Sequence, residues 1–394
     1  MRNDEHSTFT ALGVSPDLTA VLEDAGISTP FPVQRLCIPD ALAGHDVCGK
    51  AKTGSGKTLA FGLPLVERID STDKPFLSGL VLEPTRELAL QVAGVLRPLA
   101  QARNLRLTAV YGGAPMGKQI KSIAAGSDIV VATPGRLIDL VDRGAADLSA
   151  LSFVVIDEAD RMADMGFLPQ VEWLLRRVAT EHQTLLFSAT LDGGIQGLVD
   201  RYQHDAVFHE VDSPTVTVEQ MAHRFLLVHE MDRAKVAAAI TESTDRSLIF
   251  VNTKRQADKV ARDLVDLGVD AKAIHGDLRQ EHRERALKRF SEGRLSVLVA
   301  TDVAARGLDI DDLEVVVHYD PAPDHKTYLH RSGRTARAGA AGLVVTLVLW
   351  NQELEVRRLK RRLDLAQPIV EMFSNDPRLA DLASWDPGAE EGAA

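Results

Sequence analysis

Short apolar runs alternate with longer stretches of mixed polarity along the whole chain. In the first half the apolar runs are Val47–Gly49, Leu80–Leu82, Leu107–Val110, Ile129–Ala132, Phe153–Ile156 and Thr184–Phe187. In the second half they are Phe225–Val228, Leu248–Val251, Ala271–Ile274, Val297–Ala300, Val315–His318 and Leu343–Leu349. Continuous rather than alternating hydrophobicity suits strands covered on both faces, as in parallel sheets. Amphipathic segments lie between the runs, such as Arg255–Leu267 and Glu281–Phe290, and read as crossover helices. Twelve strands in two groups of six predict an α/β protein with two domains of similar architecture. Each domain is expected to be a mostly parallel sheet flanked by helices.

The polar segment His209-Glu210-Val211-Asp212-Ser213-Pro214-Thr215 marks the boundary. This reading gives a first domain over 1–208, a linker over 209–217, a second domain over 218–368 and an acidic tail over 369–394. From Glu371 onward the chain sets Glu371, Asp376, Asp381, Asp386, Glu390 and Glu391 against Arg378 alone, which predicts a mobile or loosely docked tail. Just before it, Arg357, Arg358, Lys360, Arg361 and Arg362 share a predicted helix with a buried stripe of Val356, Leu359 and Leu363. Glu353 lies four residues before Arg357, so a solvated, ion-paired face is favoured there over an RNA-binding helix.

Composition narrows the function classes. A length of 394 residues suits two or three domains. The longest apolar stretch, around Val344 to Trp350, is too short to cross a bilayer. The first residues, Met1-Arg2-Asn3-Asp4-Glu5, form no hydrophobic signal segment, so a cytoplasmic location without a membrane partner is expected. A net charge of −11 excludes a generally basic nucleic-acid coat, so any such contact must come from selected basic residues and backbone N–H groups. The only cysteines, Cys37 and Cys48, cannot form a metal cluster alone and are expected to be reduced. The twelve histidines show no metalloprotease spacing, and His204 and His209 read as surface residues.

Three runs carry chemistry. In Ala51-Lys52-Thr53-Gly54-Ser55-Gly56-Lys57-Thr58, the glycines after a short buried strand let backbone N–H groups turn inward around a phosphate chain. A helix starting near Thr58 adds its positive end. Gly54, Ser55 and Gly56 would cradle phosphate, Lys57 would neutralise β/γ-phosphate charge, and Thr58 would hold a magnesium ion. In Asp157-Glu158-Ala159-Asp160, the two leading acids stand at the C-terminal end of the buried strand Phe153–Ile156. Asp157 can bind magnesium through water, and Glu158 can polarise an attacking water. The third run, His330-Arg331-Ser332-Gly333-Arg334-Thr335-Ala336-Arg337, supplies guanidinium groups, of which Arg334 and Arg337 are candidates to stabilise phosphoryl-transfer charge.

With these motifs in this order, the chain resembles the DEAD-box ATP-dependent RNA helicases of superfamily 2 over roughly Phe9 to Ala366. The resemblance implies two tandem RecA-like domains that bind ATP and RNA across their cleft, with Mg2+ on the phosphates. It implies that Gln34, in Gly26-Ile27-Ser28-Thr29-Pro30-Phe31-Pro32-Val33-Gln34, reads adenine. Phe9 would stack on the base. The segments Pro84-Thr85-Arg86-Glu87-Leu88-Ala89, Gly112-Gly113 and Thr133-Pro134-Gly135-Arg136 look like RNA-contact motifs, with Thr85, Arg86, Gly113, Thr133 and Arg136 as the contacts. In the second domain, Gly276, Arg283 and Thr301 would contact RNA, and Asp309 would meet the ribose of ATP. Ser188 and Thr190, with Asp160 and His330, would couple the acidic motif to the rest of the site.

The chain departs from the commonest family pattern at Glu83, Ala163, Ser332 and Ala336. None of these removes a chemical group the mechanism needs. The reading is therefore an RNA-dependent ATPase and helicase, expected as a monomer, with RNA as its partner. Ribosome assembly, RNA decay and cold adaptation all stay open as processes, so ribosomal or RNA-decay proteins are candidate partners. The rivals are an ATP-gated RNA clamp or assembly scaffold, a DNA helicase, and more distantly a transport ATPase.

Overall fold

The computed structural model describes residues 8–51, 55–69, 77–178, 181–211, 221–242, 244–305, 313–335 and 342–387. The chain divides into two compact units, Met1–Ser213 and Pro214–Ala394. The first unit holds β1 (Val47–Lys50), β2 (Gly79–Leu82), β3 (Leu107–Val110), β4 (Ile129–Ala132), β5 (Phe153–Ile156), β6 (Gln183–Ser188) and β7 (Val207–Glu210). They lie side by side in the order β3-β4-β2-β5-β6-β1-β7, every neighbouring pair parallel.

The second unit holds β8 (Met221–Leu227), β9 (Ser247–Val251), β10 (Ala271–Ile274), β11 (Val297–Thr301), β12 (Val315–His318), β13 (Gly342–Val348) and β14 (Ile369–Glu371). Their order is β10-β11-β9-β12-β13-β8-β14, again parallel throughout. Counted from the first strand of each unit, the two orders are the same.

The continuous apolar runs have a direct structural cause. Along each central strand, successive side chains enter different cores. Val81, Val131, Val155 and Leu185 pack on one face of the first sheet, while Leu80, Val130, Val154 and Leu186 pack on the other. The second sheet does the same, with Ile249, Val299 and Val317 on one face and Leu248, Leu298 and Val316 on the other. All twelve expected strands are present. Cys37 and Cys48 are buried free thiols, and burial pushes them up to about 12 and about 11 respectively. Among the described residues no helix is long and apolar enough to cross a membrane.

The sequence reading missed one edge strand of each sheet, β7 and β14. Both are short, and their residues are half-buried or exposed, so they lack the apolar run that marks a central strand. β7 extends the first sheet to Glu210, inside the stretch read as linker. β14 overturns the reading of 369–394 as a loose acidic tail. It pairs with β8, and beyond it Met372, Leu379 and Leu382 enter the second unit's core, with Trp385 packed against them. Arg224 fixes this segment by donating to the carbonyls of Leu382 and Ala383, and Asp232 accepts from the backbone and hydroxyl of Ser374. Asp376, Asp381 and Asp386 are spaced by apolar residues that reach the core, so charge counting missed the anchor. The end of the predicted tail, 388–394, lies outside the described residues.

A chain ending at Pro387 should therefore melt like the full chain. A chain ending at Glu371 loses three buried side chains worth about 1.5–3 kcal/mol each, so its second unit should melt more than ~5 °C lower. Thermal unfolding of both truncations followed by circular dichroism checks this; equal melting would show that these contacts contribute nothing.

Candidate active site

Parallel strands bring all their C-terminal ends to one edge of a sheet, where the following helices begin. In the first unit that edge carries the predicted motifs in two groups. Gly112–Gly113 follow β3, Thr133 follows β4, and Thr85 and Arg86 follow β2. On the other half, Asp157 and Glu158 follow β5, Ser188 ends β6, and the phosphate-loop run follows β1. The RNA-type segments thus share three adjacent strands, and the nucleotide-type segments share the next three.

The nucleotide half is organised by one buried cation. Gly56 adopts φ +89° at the N-cap of the helix Lys57–Arg68, a conformation that favours glycine. The next residue, Lys57, is 5% exposed. Its Nζ lies 2.6 Å from Glu158 Oε1 and 3.5 Å from Asp157 Oδ1. Burial works against the ammonium charge, but Glu158 and Asp157 outweigh it and hold the lysine above its usual range. Asp157 Oδ1 also accepts from the Glu158 backbone N–H at 2.8 Å. Burial raises the Asp157 carboxyl to about 6 despite the nearby ammonium. Glu158 sits at φ +51°, a left-handed backbone that costs on the order of 1–3 kcal/mol outside glycine. Ser188 Oγ accepts from the Asp160 N–H at 3.1 Å and donates to the Thr190 carbonyl at 2.6 Å. The serine hydroxyl thus ties the acidic loop to the end of β6. Asp160 is itself raised, first by burial and then by the Glu158 charge.

Gln34 is buried and faces the phosphate loop. Its Oε1 accepts from Phe31 N at 2.8 Å, and its Nε2 donates to the Gly56 carbonyl at 2.9 Å. Among the described residues these two bonds leave one N–H and one lone pair of the amide unused. Phe9 requires a correction. It is 1% exposed and packed in the first unit's core, so its ring offers no face to a base. Phe31, which the sequence reading did not single out, is 57% exposed. A Cβ added to Gly56 would fall 2.5 Å from its ring, so the aromatic lies directly on the loop. The signal was available: a large apolar residue just ahead of Pro32, where the helix Pro32–Leu42 starts.

On the RNA-type half, Thr85 caps the helix Arg86–Ala102, accepting from Leu88 N at 3.3 Å. Arg86 pairs with Glu87 at 2.8 Å and lies against Gly113, where a Cβ would be 2.8 Å from Nη1. Arg136 Nη1 donates to the Ala114 carbonyl at 3.0 Å and to Gln119 Oε1 at 3.2 Å. Thr133 holds the N-cap of Pro134–Asp142 without using its hydroxyl as the cap. Three distant segments of sequence therefore meet on one patch.

In the second unit, His275 Nε2 bonds Asp258 at 2.9 Å, just ahead of Gly276. Arg283 is mostly buried in the helix Gln280–Ser291, and Thr301 ends β11. His330 is exposed near the end of the helix His325–Ser332, and Arg334 is half-buried just past it. Gly54, Asp309 and Arg337 lie outside the described residues. The residue that organises this edge is Arg331, quoted in the sequence only as part of its run. It is 1% exposed. Nε and Nη2 grip Asp302 at 2.6 and 2.7 Å, Nη1 donates to the Asp320 carbonyl at 2.7 Å, and Nη2 donates to Asn252 Oδ1 at 3.1 Å. One guanidinium thereby fastens the residues that follow β11, β9 and β12. Its sequence signal was Asp302, an acid set directly after an apolar strand.

Glu83, a departure noted in the sequence, adds a group to the first unit's edge. It follows β2 beside Asp157, because the Asp157 N–H donates to the Leu82 carbonyl and the Glu83 N–H to the Ala132 carbonyl. Both its carboxylate oxygens are buried without a hydrogen-bond partner among the described residues. Burial, then the charges of Asp157 and Glu158, holds its carboxyl well above the usual range.

A family model described as DEAD/DEAH box helicase matches residues 31–197, and one described as Helicase conserved C-terminal domain matches residues 231–339. The DEAD-box ATP-dependent RNA helicase CshA of Bacillus licheniformis is 39% identical over 363 residues, covering 91% of this chain and 74% of its own length. The chain belongs to the DEAD-box ATP-dependent RNA helicase family. Solved structures of the same kind agree with the fold. Saccharomyces cerevisiae Dbp5 bound to RNA and ADP BeF3 is 27% identical with a TM-score of 0.79, and the match covers 94% of this chain and 97% of that one. A DEAD box protein from Methanococcus jannaschii is 33% identical with a TM-score of 0.53, over 93% and 99% of the respective chains. The tandem RecA-like architecture implied by the DEAD-box resemblance is the one the two seven-stranded sheets form.

In this DEAD-box chain, the raised Glu83 gives a signed stability prediction. A carboxyl raised on folding favours the native state below its ordinary range, and that advantage is lost as pH rises through the folded value. Glu83→Gln removes this pH-dependent loss. Without nucleotide or magnesium, the variant should melt ~2 °C or more above wild type at pH 8, with the gap closing toward pH 5. A variant less stable at pH 8 would overturn the assignment.

Proposed function

We propose that the first unit binds and hydrolyses ATP at the β5–β6–β1 half of its edge, and that RNA runs along the loops after β3, β4 and β2. The observation that carries this is the buried Lys57–Glu158–Asp157 cluster at the foot of the phosphate-loop helix. Its donors suit magnesium: the Thr58 hydroxyl and the Asp157 carboxylate are hard oxygen ligands, and the surrounding carboxylates exceed the nearby cations. Among the described residues no group of three or more His, Cys, Asp or Glu forms a self-sufficient metal site. That fits an ion that keeps waters and takes further ligands from substrate phosphates. Magnesium there would neutralise charge on the β- and γ-phosphates.

The chain's own groups then divide the work. Lys57 turns from Glu158 to the phosphates, which frees Glu158 Oε1 to accept a proton from the attacking water. Ser188, with Thr190, keeps the acidic loop in register with β6, and His330 couples the second unit to it. Gln34 offers its remaining N–H and lone pair to adenine, and Phe31 takes the stacking role first expected of Phe9. Ser55 and Gly56, with Gly54, supply loop N–H groups, and Asp309 meets the ribose. Arg334 and Arg337 of the second unit act on the nucleotide held by the first. Thr85, Arg86, Gly113, Thr133, Arg136, Gly276, Arg283 and Thr301 hold RNA through its backbone. The cycle separates short duplexes or remodels RNA–protein complexes.

Phosphate release should rise several-fold with RNA and far less with equal DNA; equal stimulation by both rejects RNA specificity. Glu158→Gln should keep ATP and RNA binding while hydrolysis falls ~10²-fold or more, and a near-normal single-turnover rate would remove Glu158 from the base role.

Arg334→Ala should melt like wild type and bind nucleotide normally. Its RNA-stimulated turnover should fall by ~10³-fold or more, the scale of arginine-finger loss. Full turnover in the folded variant would reject the contribution of the second unit.

A further inference from the structure

We propose that the exposed face of the helix Glu353–Arg362, with Trp350 just ahead of it, is a second surface for single-stranded RNA. It shares only its ligand class with the site above.

The helix buries Val356 and Leu359 against the second unit. At 3.6 residues per turn, Leu354, Arg358 and Arg361 fall within an arc of about 60° on the opposite side, and Arg362 flanks them. Trp350 stands one turn earlier, in the short 3-10 segment Trp350–Gln352. It is 82% exposed, and Leu354 is 59% exposed.

The arrangement departs from the ion-paired face expected of this sequence. Arg357 does pair with Glu353 at 2.6 Å, and Lys360 turns inward over the Phe225 ring. Arg358, Arg361 and Arg362 are exposed and have no ion-pair or hydrogen-bond partner among the described residues. Five cations share these ten residues with two acids, Glu353 and Glu355, in a chain of net charge −11. The negative end of the helix accounts for basic residues in its last turn. It does not account for an exposed tryptophan just ahead of the helix and an exposed leucine in its first turn. An aromatic platform continuous with a cationic row is what a single strand requires: a base stacks on the ring and phosphates lie on the guanidinium groups. From Trp350 to Arg361 the row spans about 16 Å at 1.5 Å per residue.

The test uses the full chain and a ~20-nucleotide single-stranded RNA without nucleotide, with fluorescence anisotropy across a salt series. Arg358→Gln, Arg361→Gln and Arg362→Gln combined should weaken binding ~10-fold or more and lower the log–log salt slope by about 2. Trp350→Ala should weaken binding ~5-fold or more. Trp350→Phe should restore most of that affinity while losing the tryptophan quenching that RNA produces in wild type. At saturating RNA, kcat should be unchanged in each variant while the KM for RNA rises, and melting should match wild type. RNA affinity and salt slope unchanged in the triple variant would overturn the proposal. So would polyglutamate binding lost in the triple variant while RNA affinity is kept, which would assign the face to an acidic protein.

Discussion

A lysine ammonium held out of water between two carboxylates is the interaction on which the first unit's site depends. Alone, Lys57 could not remain charged at that depth, and Asp157 and Glu158 without it would be a repelling buried pair. The contact exists because of strand order. β5 and β1 are separated only by β6, so the side chain that opens the helix after β1 reaches across to the acids that follow β5. Ser188 stands on the strand between and holds the Asp160 backbone at 3.1 Å. A different order of the same strands would give the same core and no site.

The second unit solves the same problem with different chemistry. Arg331 is the most buried of its described cations, and four of its five N–H donors are occupied by three strand-end partners. Such a guanidinium is fixed in plane and cannot leave one partner without disturbing the others. Lys57 is a point charge on a flexible stem, and under the proposed function it would exchange its acids for a phosphate chain. One edge is therefore locked and the other can exchange partners, which follows from the choice between arginine and lysine.

Much of this was legible in the sequence because the physics was local. A strand buried on both faces must be apolar at every position, and twelve such runs stood out. A glycine-rich turn before Lys57 and acids after Ile156 could be read from residue type and place alone. What escaped reading depends on contacts between distant residues. β7 and β14 are edge strands, paired on one side and too short and exposed to show a pattern. Met372, Leu379 and Leu382 are spaced by acids, so the segment reads as solvent-exposed until the core accepts it. Phe9 and Phe31 are both aromatic, and only the fold decides which is interior and which lies on Gly56. Glu83 counts as a harmless departure until both its oxygens are found buried without a partner among the described residues.

Because the strand order repeats, the chain carries two copies of one topology, each offering the same positions after its strands. The chemistry of each copy then lies in the residues grafted onto those positions. The second copy opens differently after its first strand: Val228-His229-Glu230-Met231-Asp232-Arg233 replaces a glycine-rich cradle. The pair is thus duplicated in architecture and unequal in chemistry, with the glycine-rich phosphate-loop run in the first copy.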